Sequence, residues 1–275
     1  MDKRNRIKIG IEIECCYNRD IVDFERGSYH DGISAGNSWK IEGDGSLRNS
    51  HIFDNENNAE FVSSILGSKK TYIKALKEFR DFFKGYPLSE VLDFNNSCGN
   101  HIHIGINNKK KYHNKLSFDI FAEMREKYFK AIKESDKLSE DTKEKILNQY
   151  FRGYAQKINK SAWYLNRLSR GVEFNKQSEN SGLGIEWRSV NLCGVKTWTE
   201  FNAVFEIIYN CVEWLFKQRT TSHKGKFKAL RLNRVKLNEL QSGVTKGIIL
   251  TIEKKGGENI TLNIKSDCEV LQCVI

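Results

Sequence analysis

The chain has 275 residues, enough for one large domain or one domain with a small appendage. Its apolar share of 39%, with 16 Phe, 10 Tyr and 5 Trp, excludes a disordered chain, and seven cysteines without a CxxC pair argue against a disulfide framework. The net charge of +10 predicts attraction to polyanions, either an acidic partner or one associated with nucleic acid.

From the N-terminus, "RIKIGIEIEC" alternates strictly and reads as a strand. Glu12 and Glu14 interrupt any signal-peptide core there, so a cytoplasmic protein is expected. Tyr17–Asn37 reads as a polar loop, "SWKIE" as a strand, "GDGS" as a turn and "NAEFVSSIL" as a further strand. In "SKKTYIKALKEFRDFFKG" the apolar residues at 72, 73, 76, 79, 82 and 83 form one helical face, closed by Gly85.

"GNHIHIGI" is the next expected strand. Helices follow over "SFDIFAEMREKYFKAIKES" and "SEDTKEKILNQYF", the second with Ser139 as its cap, and a shorter one over "SAWYLNRL". "GIEWRSVNL" reads as a strand. The longest helix is "TWTEFNAVFEIIYNCVEWLFKQR", opened by a capping-box pattern from Thr197 to Glu200. Glu206, Asn210 and Glu213 make it amphipathic, and no membrane span is expected.

The texture changes near residue 220. Thr221–Lys236 holds Lys224, Lys226, Lys228, Arg231, Arg234 and Lys236 without an acidic residue, and "GIILTIEKKGGENITLNI" reads as a β-hairpin. The expected domains are therefore 1–220 and 221–275. Strands with interspersed helices and no regular βαβ alternation predict an α+β fold with a mainly antiparallel sheet.

Four of the strands share a feature. Successive side chains alternate, so Ile7, Ile9, Ile11 and Ile13 share one face, while Lys8, Gly10, Glu12 and Glu14 share the other. Two carboxylates at this spacing lie roughly 7 Å apart. At an effective dielectric near 20 they repel by on the order of 2 kcal/mol, which a cleft would have to offset with cations. "HIHIGI" sets His101, His103 and Gly105 against isoleucines, "GIEWRSV" sets Glu186 and Arg188 against Ile185 and Trp187, and "NAEFVSSI" sets Glu60, Val62 and Ser64 against Phe61, Ser63 and Ile65. Solvent faces elsewhere are lysine-rich, as at Lys109–Lys111 and Lys254–Lys255. These polar rows instead offer carboxylate, imidazole and guanidinium, which suit Mg²⁺ or Mn²⁺ and phosphate.

In order, "GIEIE", "WKIEGDGSL", "AEFVS", "CGNHIHIG", "RGVEFN" and "GIEWR" resemble the motif series of the amidoligase family, carboxylate–amine ligases built on the glutamine synthetase and glutamate–cysteine ligase fold. The resemblance covers roughly residues 7–215 and departs from the family pattern at Trp187. It implies an antiparallel sheet forming an open half-barrel, with ATP and two or three Mg²⁺ or Mn²⁺ ions on the concave face and helices on the convex side. It also implies Glu12, Glu14, Glu60, His101 and Glu186 as metal ligands, and His103, Asn175 and Arg188 near the ATP phosphates. Arg188 and Arg170 would assist phosphoryl transfer, and Asp44 and Ser46 would contact substrate.

The implied reaction joins a small-molecule or peptide carboxylate to an amine through an acyl phosphate. Phosphoryl transfer without ligation is an alternative on the same sheet. A basic nucleic-acid-binding protein is a second alternative, supported by 221–236 and the net charge. A zinc site of Cys98, His101 and His103, spaced C-x₂-H-x-H, is a chemical rival.

Overall fold

The computed structural model describes residues 8–28, 31–105, 118–151, 157, 173–176, 184–221, 235–242, 245–253 and 259–265. The chain forms two compact units, Met1–Thr220 and Thr221–Ile275.

The first unit is an α+β structure around an open, antiparallel, eight-stranded sheet. Its strands are β1 (Lys8–Asn18), β2 (Ile33–Ala35), β3 (Trp39–Glu42), β4 (Glu56–Ser63), β5 (Leu92–Asp93), β6 (Asn100–Gly105), β7 (Phe174–Lys176) and β8 (Gly184–Val190). The order is β2-β3-β4-β1-β6-β8-β7, with β5 paired to the far end of β1. The helices are α1 (Lys69–Asp81), α2 (Leu88–Val91), α3 (Phe118–Glu134), α4 (Glu140–Gln149) and α5 (Trp198–Thr221).

The alternation in β1 explains its central place. Ile9, Ile11, Ile13, Cys15 and Tyr17 are buried on one face, joined there by Ala59 and Phe61 of β4, Ile102 and Ile104 of β6, and Ile185 and Trp187 of β8. Full burial of each such large side chain contributes roughly 1.5–3 kcal/mol. Helices cover this face. Trp39 Nε1 donates to the Ala75 carbonyl of α1 at 2.9 Å, and Phe61 meets Phe79 edge-on at 5.1 Å. Phe79 stacks on Phe201 of α5 at 5.4 Å, and Tyr128 of α3 meets Trp187 at 5.1 Å. With one face sealed by helices, the polar rows of the same strands are left together on the other.

Helix starts follow local chemistry. Ser68 caps α1 reciprocally with Thr71, and Ser139 Oγ accepts from Thr142 N at 3.3 Å at the start of α4, the cap expected there. At α5, Thr197 Oγ1 accepts from Glu200 N at 3.1 Å, but Glu200 turns its carboxylate to Lys196 N and to the start of α4. The expected capping box is thus half formed, because Glu200 is shared between two helix N-termini.

Several expectations are corrected. The polar loop begins at Arg19 rather than Tyr17, and it contains β2, whose three residues pair with β3. The strand expected to run to Leu66 ends at Ser63, whose Oγ accepts from Ile11 N at 2.8 Å in place of a ladder carbonyl. Ile65, expected on the core face, is therefore 72% exposed. Ile73, expected on the buried face of α1, is also exposed, because Tyr72, Ala75, Leu76 and Phe79 fill the packed stripe. The short elements α2, β5 and β7 were not legible, since none exceeds four residues. The helix expected over 161–168 lies outside the described residues.

The second unit is a three-stranded antiparallel sheet, ordered β11-β10-β9, of β9 (Val235–Ser242), β10 (Thr245–Glu253) and β11 (Asn259–Lys265). The expected hairpin is β10–β11, in register from Gly247↔Lys265 to Glu253↔Asn259. The further strand β9 has no clear signal in the sequence, because its apolar residues Val235, Leu237 and Leu240 break a strict alternation. Most of the basic stretch, 222–234, lies outside the described residues. Among the described residues, no helix is long and apolar enough to cross a membrane.

Candidate functional site

The register of the sheet assembles the polar face. Glu12 lies opposite His101, Gly10 opposite His103, and His103 opposite Glu186, which lies opposite Asn175. On the other side of β1, Glu14 pairs with Glu60, and Glu60 with Glu42. Carboxylates and imidazoles from five strands therefore occupy adjoining positions on one surface.

Side-chain geometry tightens this grid. One carboxylate oxygen of Glu12 lies 2.8 Å from His101 Nδ1, and the other lies 2.7 Å from His103 Nε2. His101 Nδ1 is also 3.6 Å from Glu186, and its Nε2 is 4.0 Å from Glu14. Gly99 N donates to Glu14, so the turn before β6 holds that carboxylate in place. A side chain at residue 99 would crowd this contact: a Cβ there would lie 3.1 Å from His101 Nε2 and 3.3 Å from a Glu14 oxygen. Arg188 donates to Glu186 from Nη1, and Asn175 Nδ2 donates to the other Glu186 oxygen at 3.3 Å. The Arg188 Nε is buried and has no hydrogen-bond partner among the described residues.

Two groupings have ligand atoms close enough to hold one cation each: Glu12, His103 and Glu186, and Glu12, Glu60 and His101. In each, the ligand atoms all lie within 4.8 Å of one another, and Glu12 belongs to both. Cys98 belongs to neither. Its thiol donates to Asn95 Oδ1 at 3.6 Å, so the C-x₂-H-x-H spacing does not gather three zinc ligands.

The electrostatics point the same way. Burial tends to raise Glu12, but hydrogen bonds and charge from His101 and His103 outweigh it and hold its carboxyl well below the usual range. Glu14 is raised by burial, with Asp44 and Glu12 adding to the effect against His101 and Gly99. Glu60 is pushed up to about 9 by burial and by the charges of Glu12, Glu14, Asp44 and Glu42. Without a cation the face keeps Glu60 protonated, since so many buried carboxylates cannot all ionise together. The donor set is rich in carboxylate with two imidazoles, which fits a hard divalent ion of the Mg²⁺ or Mn²⁺ kind.

The structure therefore brings Glu12, Glu14, Glu60, His101, His103, Asn175, Glu186 and Arg188 onto one face. Asp44 adjoins it, acting electrostatically on Glu14 and Glu60. Ser46 is exposed, and its backbone N–H donates to Asp44 Oδ1 at 2.7 Å. Arg170 lies outside the described residues. Sequence reasoning missed Glu42, although its place in "WKIE", two residues after Lys40 and two before Asp44, put it on the same polar row. It also missed Arg26, which sits in the stretch read as loop, where no periodicity assigns a face.

In comparisons with known proteins, no family model matches the chain and no curated protein matches it significantly.

Proposed function

We propose that the chain is an ATP- and divalent-metal-dependent carboxylate–amine ligase that forms an amide bond through an acyl phosphate. The observation that carries this reading is the shared position of Glu12, whose two oxygens serve two histidines and two adjoining cation-sized groupings. Adjoining sites of this kind suit a triphosphate, whose charge needs more than one cation. The resemblance to amidoligases supports the same reading, with the sheet taken as a glutamine synthetase-like half-barrel.

Glu12, Glu14, Glu60, His101 and Glu186 would hold two or three Mg²⁺ or Mn²⁺ ions. Bound there, the ions would neutralise the ATP phosphates and polarise the γ-phosphoryl group. Arg188 would stabilise the equatorial oxygens in transfer, with Arg170 assigned the same task. Asn175 and His103 would orient phosphate oxygens, and Asp44 and Ser46 would meet substrate. The substrate carboxylate is itself the nucleophile toward phosphorus, and ADP leaves. An amine then attacks the carbonyl, and phosphate departs with the bonding pair of the broken C–O bond. No nucleophilic side chain is needed. The described cysteines Cys15, Cys16, Cys98, Cys193 and Cys211 are free thiols, in keeping with a cytoplasmic enzyme.

The test uses ATP, Mg²⁺, a panel of small and peptide carboxylic acids, and hydroxylamine as the trapping amine. ADP release with hydroxamate formation is the expected result. ADP release with a phosphorylated product and no hydroxamate would favour a phosphotransferase, and the formation of neither product overturns the proposal. Glu12→Ala and Glu186→Ala should each lower turnover by more than about a hundredfold, beyond the usual cost of losing an outer partner of a metal ligand. Full activity in either variant refutes the metal assignment.

A further inference from the structure

A cavity of about 350 Å³ opens beside the acidic face, and Arg26, Gly43, Asp44, Gly45, Leu47 and Asn58 are among its lining residues. Its position follows from the register. Glu42 and Glu60 are opposite one another, and Asp44 and Asn58 each lie two residues beyond that pair along their own segments. Two residues of extended chain span roughly 7 Å, so the cavity adjoins Glu60 without containing it. Asp44 is close enough to raise the carboxyls of both Glu14 and Glu60 by its charge.

The cavity is charged at two points. Arg26 donates from Nη1 to the backbone carbonyl and side-chain oxygen of Asn58, which anchors one nitrogen of its guanidinium. Its Nη2 and Nε make no hydrogen bond, and it forms no ion pair, among the described residues. Asp44 Oδ1 accepts from Ser46 N at 2.7 Å, which fixes the carboxylate and leaves Oδ2 available. The segment that carries Arg26 is tied to the end of β3, because Gly27 N donates to the Ile41 carbonyl at 3.0 Å and Gly43 N to the Gly27 carbonyl at 2.9 Å. The two charged groups are thus held on fixed backbone, face one cavity, and are not paired with each other. The space beside Gly45 is open, since a Cβ there would meet nothing within 4 Å.

We infer that this cavity takes the amine substrate and that this substrate is an α-amino acid, its carboxylate held by the Arg26 guanidinium and its ammonium drawn to Asp44. Opposite charges that line one cavity without pairing with each other suit a ligand that carries both charges, and an α-amino acid is the smallest such ligand with a reactive amine. The inference rests on the ligase reading for the reaction, though not for binding. In the ligation step the amino nitrogen forms the C–N bond while the carbonyl C–O bond to phosphate breaks. One ammonium proton is first released to solvent, and a second leaves with the departing phosphate as the amide forms. Amide, hydrogen phosphate and one released proton balance the acyl phosphate and the protonated amine. Leu47, buried at the cavity wall, adds an apolar surface for part of the side chain.

The test is calorimetric titration of the full-length protein with each common α-amino acid, without ATP, and with the decarboxylated amine of every amino acid that binds. At least one amino acid should bind, and its decarboxylated amine should bind at least tenfold more weakly. Arg26→Ala should weaken amino-acid binding by roughly tenfold to a hundredfold, with partial recovery in Arg26→Lys. Asp44→Asn keeps the contact with Ser46 N and should weaken binding of the zwitterion but not of its N-acetyl derivative. Unchanged Mg²⁺ binding in Arg26→Ala serves as the control for folding of the neighbouring face. Absence of any amino-acid binding, or equal binding by the decarboxylated amine or by Arg26→Ala, overturns the inference. Hydroxamate formation without amino-acid binding leaves the ligase reading standing and removes this one, while amino-acid binding without hydroxamate does the reverse.

Discussion

Glu60→Gln tests the acidic face most directly, because it removes one ionisation and little volume. Glu60 ordinarily ionises near 4.5 but is pushed up to about 9 in the folded protein. Between these values the folded chain keeps a proton that the unfolded chain releases, so stability falls as pH rises, by about 1.4 kcal/mol per pH unit from this group. Across the full interval the effect is roughly 6 kcal/mol. A divalent ion at this face must displace that proton, so its affinity should rise about tenfold per pH unit toward about pH 9, with about one proton released per ion. Calorimetric titration of Mg²⁺ in two buffers of different ionisation heat counts the proton, and thermal denaturation of the metal-free protein reads the stability slope. In Glu60→Gln both slopes should flatten, and the metal-free variant should be the more stable protein at alkaline pH. Glu14, also raised by burial, leaves a residual slope of the same sign. Absent Mg²⁺ binding, binding that is indifferent to pH, or a Glu60→Gln variant with the parental slope would refute the reasoning.

Two further predictions concern the scaffold. Arg125 donates to Glu173 at 2.8 Å, and Glu173 is fully buried, so Arg125→Met should cost about 3–5 kcal/mol in urea unfolding. Replacing both residues by apolar ones of similar size should recover most of that loss, and an Arg125→Met variant as stable as the parent would contradict the assignment. Burial tends to raise Glu200, but the N–H groups of Lys196 and Ser139 and the hydroxyls of Thr142 and Ser139 hold its carboxyl at about 2. A lowered carboxyl stabilises the fold above its ordinary value of 4.5, and that contribution fades as pH falls toward about 2. Glu200→Ala should therefore cost about 1–3 kcal/mol near neutrality, and its gap to the parent, followed by thermal melts, should narrow below about pH 4.5.

The alternation of "IKIGIEIE", "HIHIGI" and "GIEWR" settles by itself that these segments are strands with an isoleucine side and a charged side, since the β period is a property of the backbone. Helix starts at Ser139 and Thr197 were legible for the same reason: a cap and its turn lie within four residues. Local pattern says nothing of strand order, however. Only the tertiary pairing placed β1 between β4 and β6, so that Glu12 lies opposite His101 and Glu14 opposite Glu60. It also brought Glu42 beside Glu60 and set Arg26, from a stretch without periodicity, across a cavity from Asp44. The sequence by itself determined which residues share a face. The register across strands far apart in the chain decided which of them meet, because contacts at such separations depend on how every intervening segment packs.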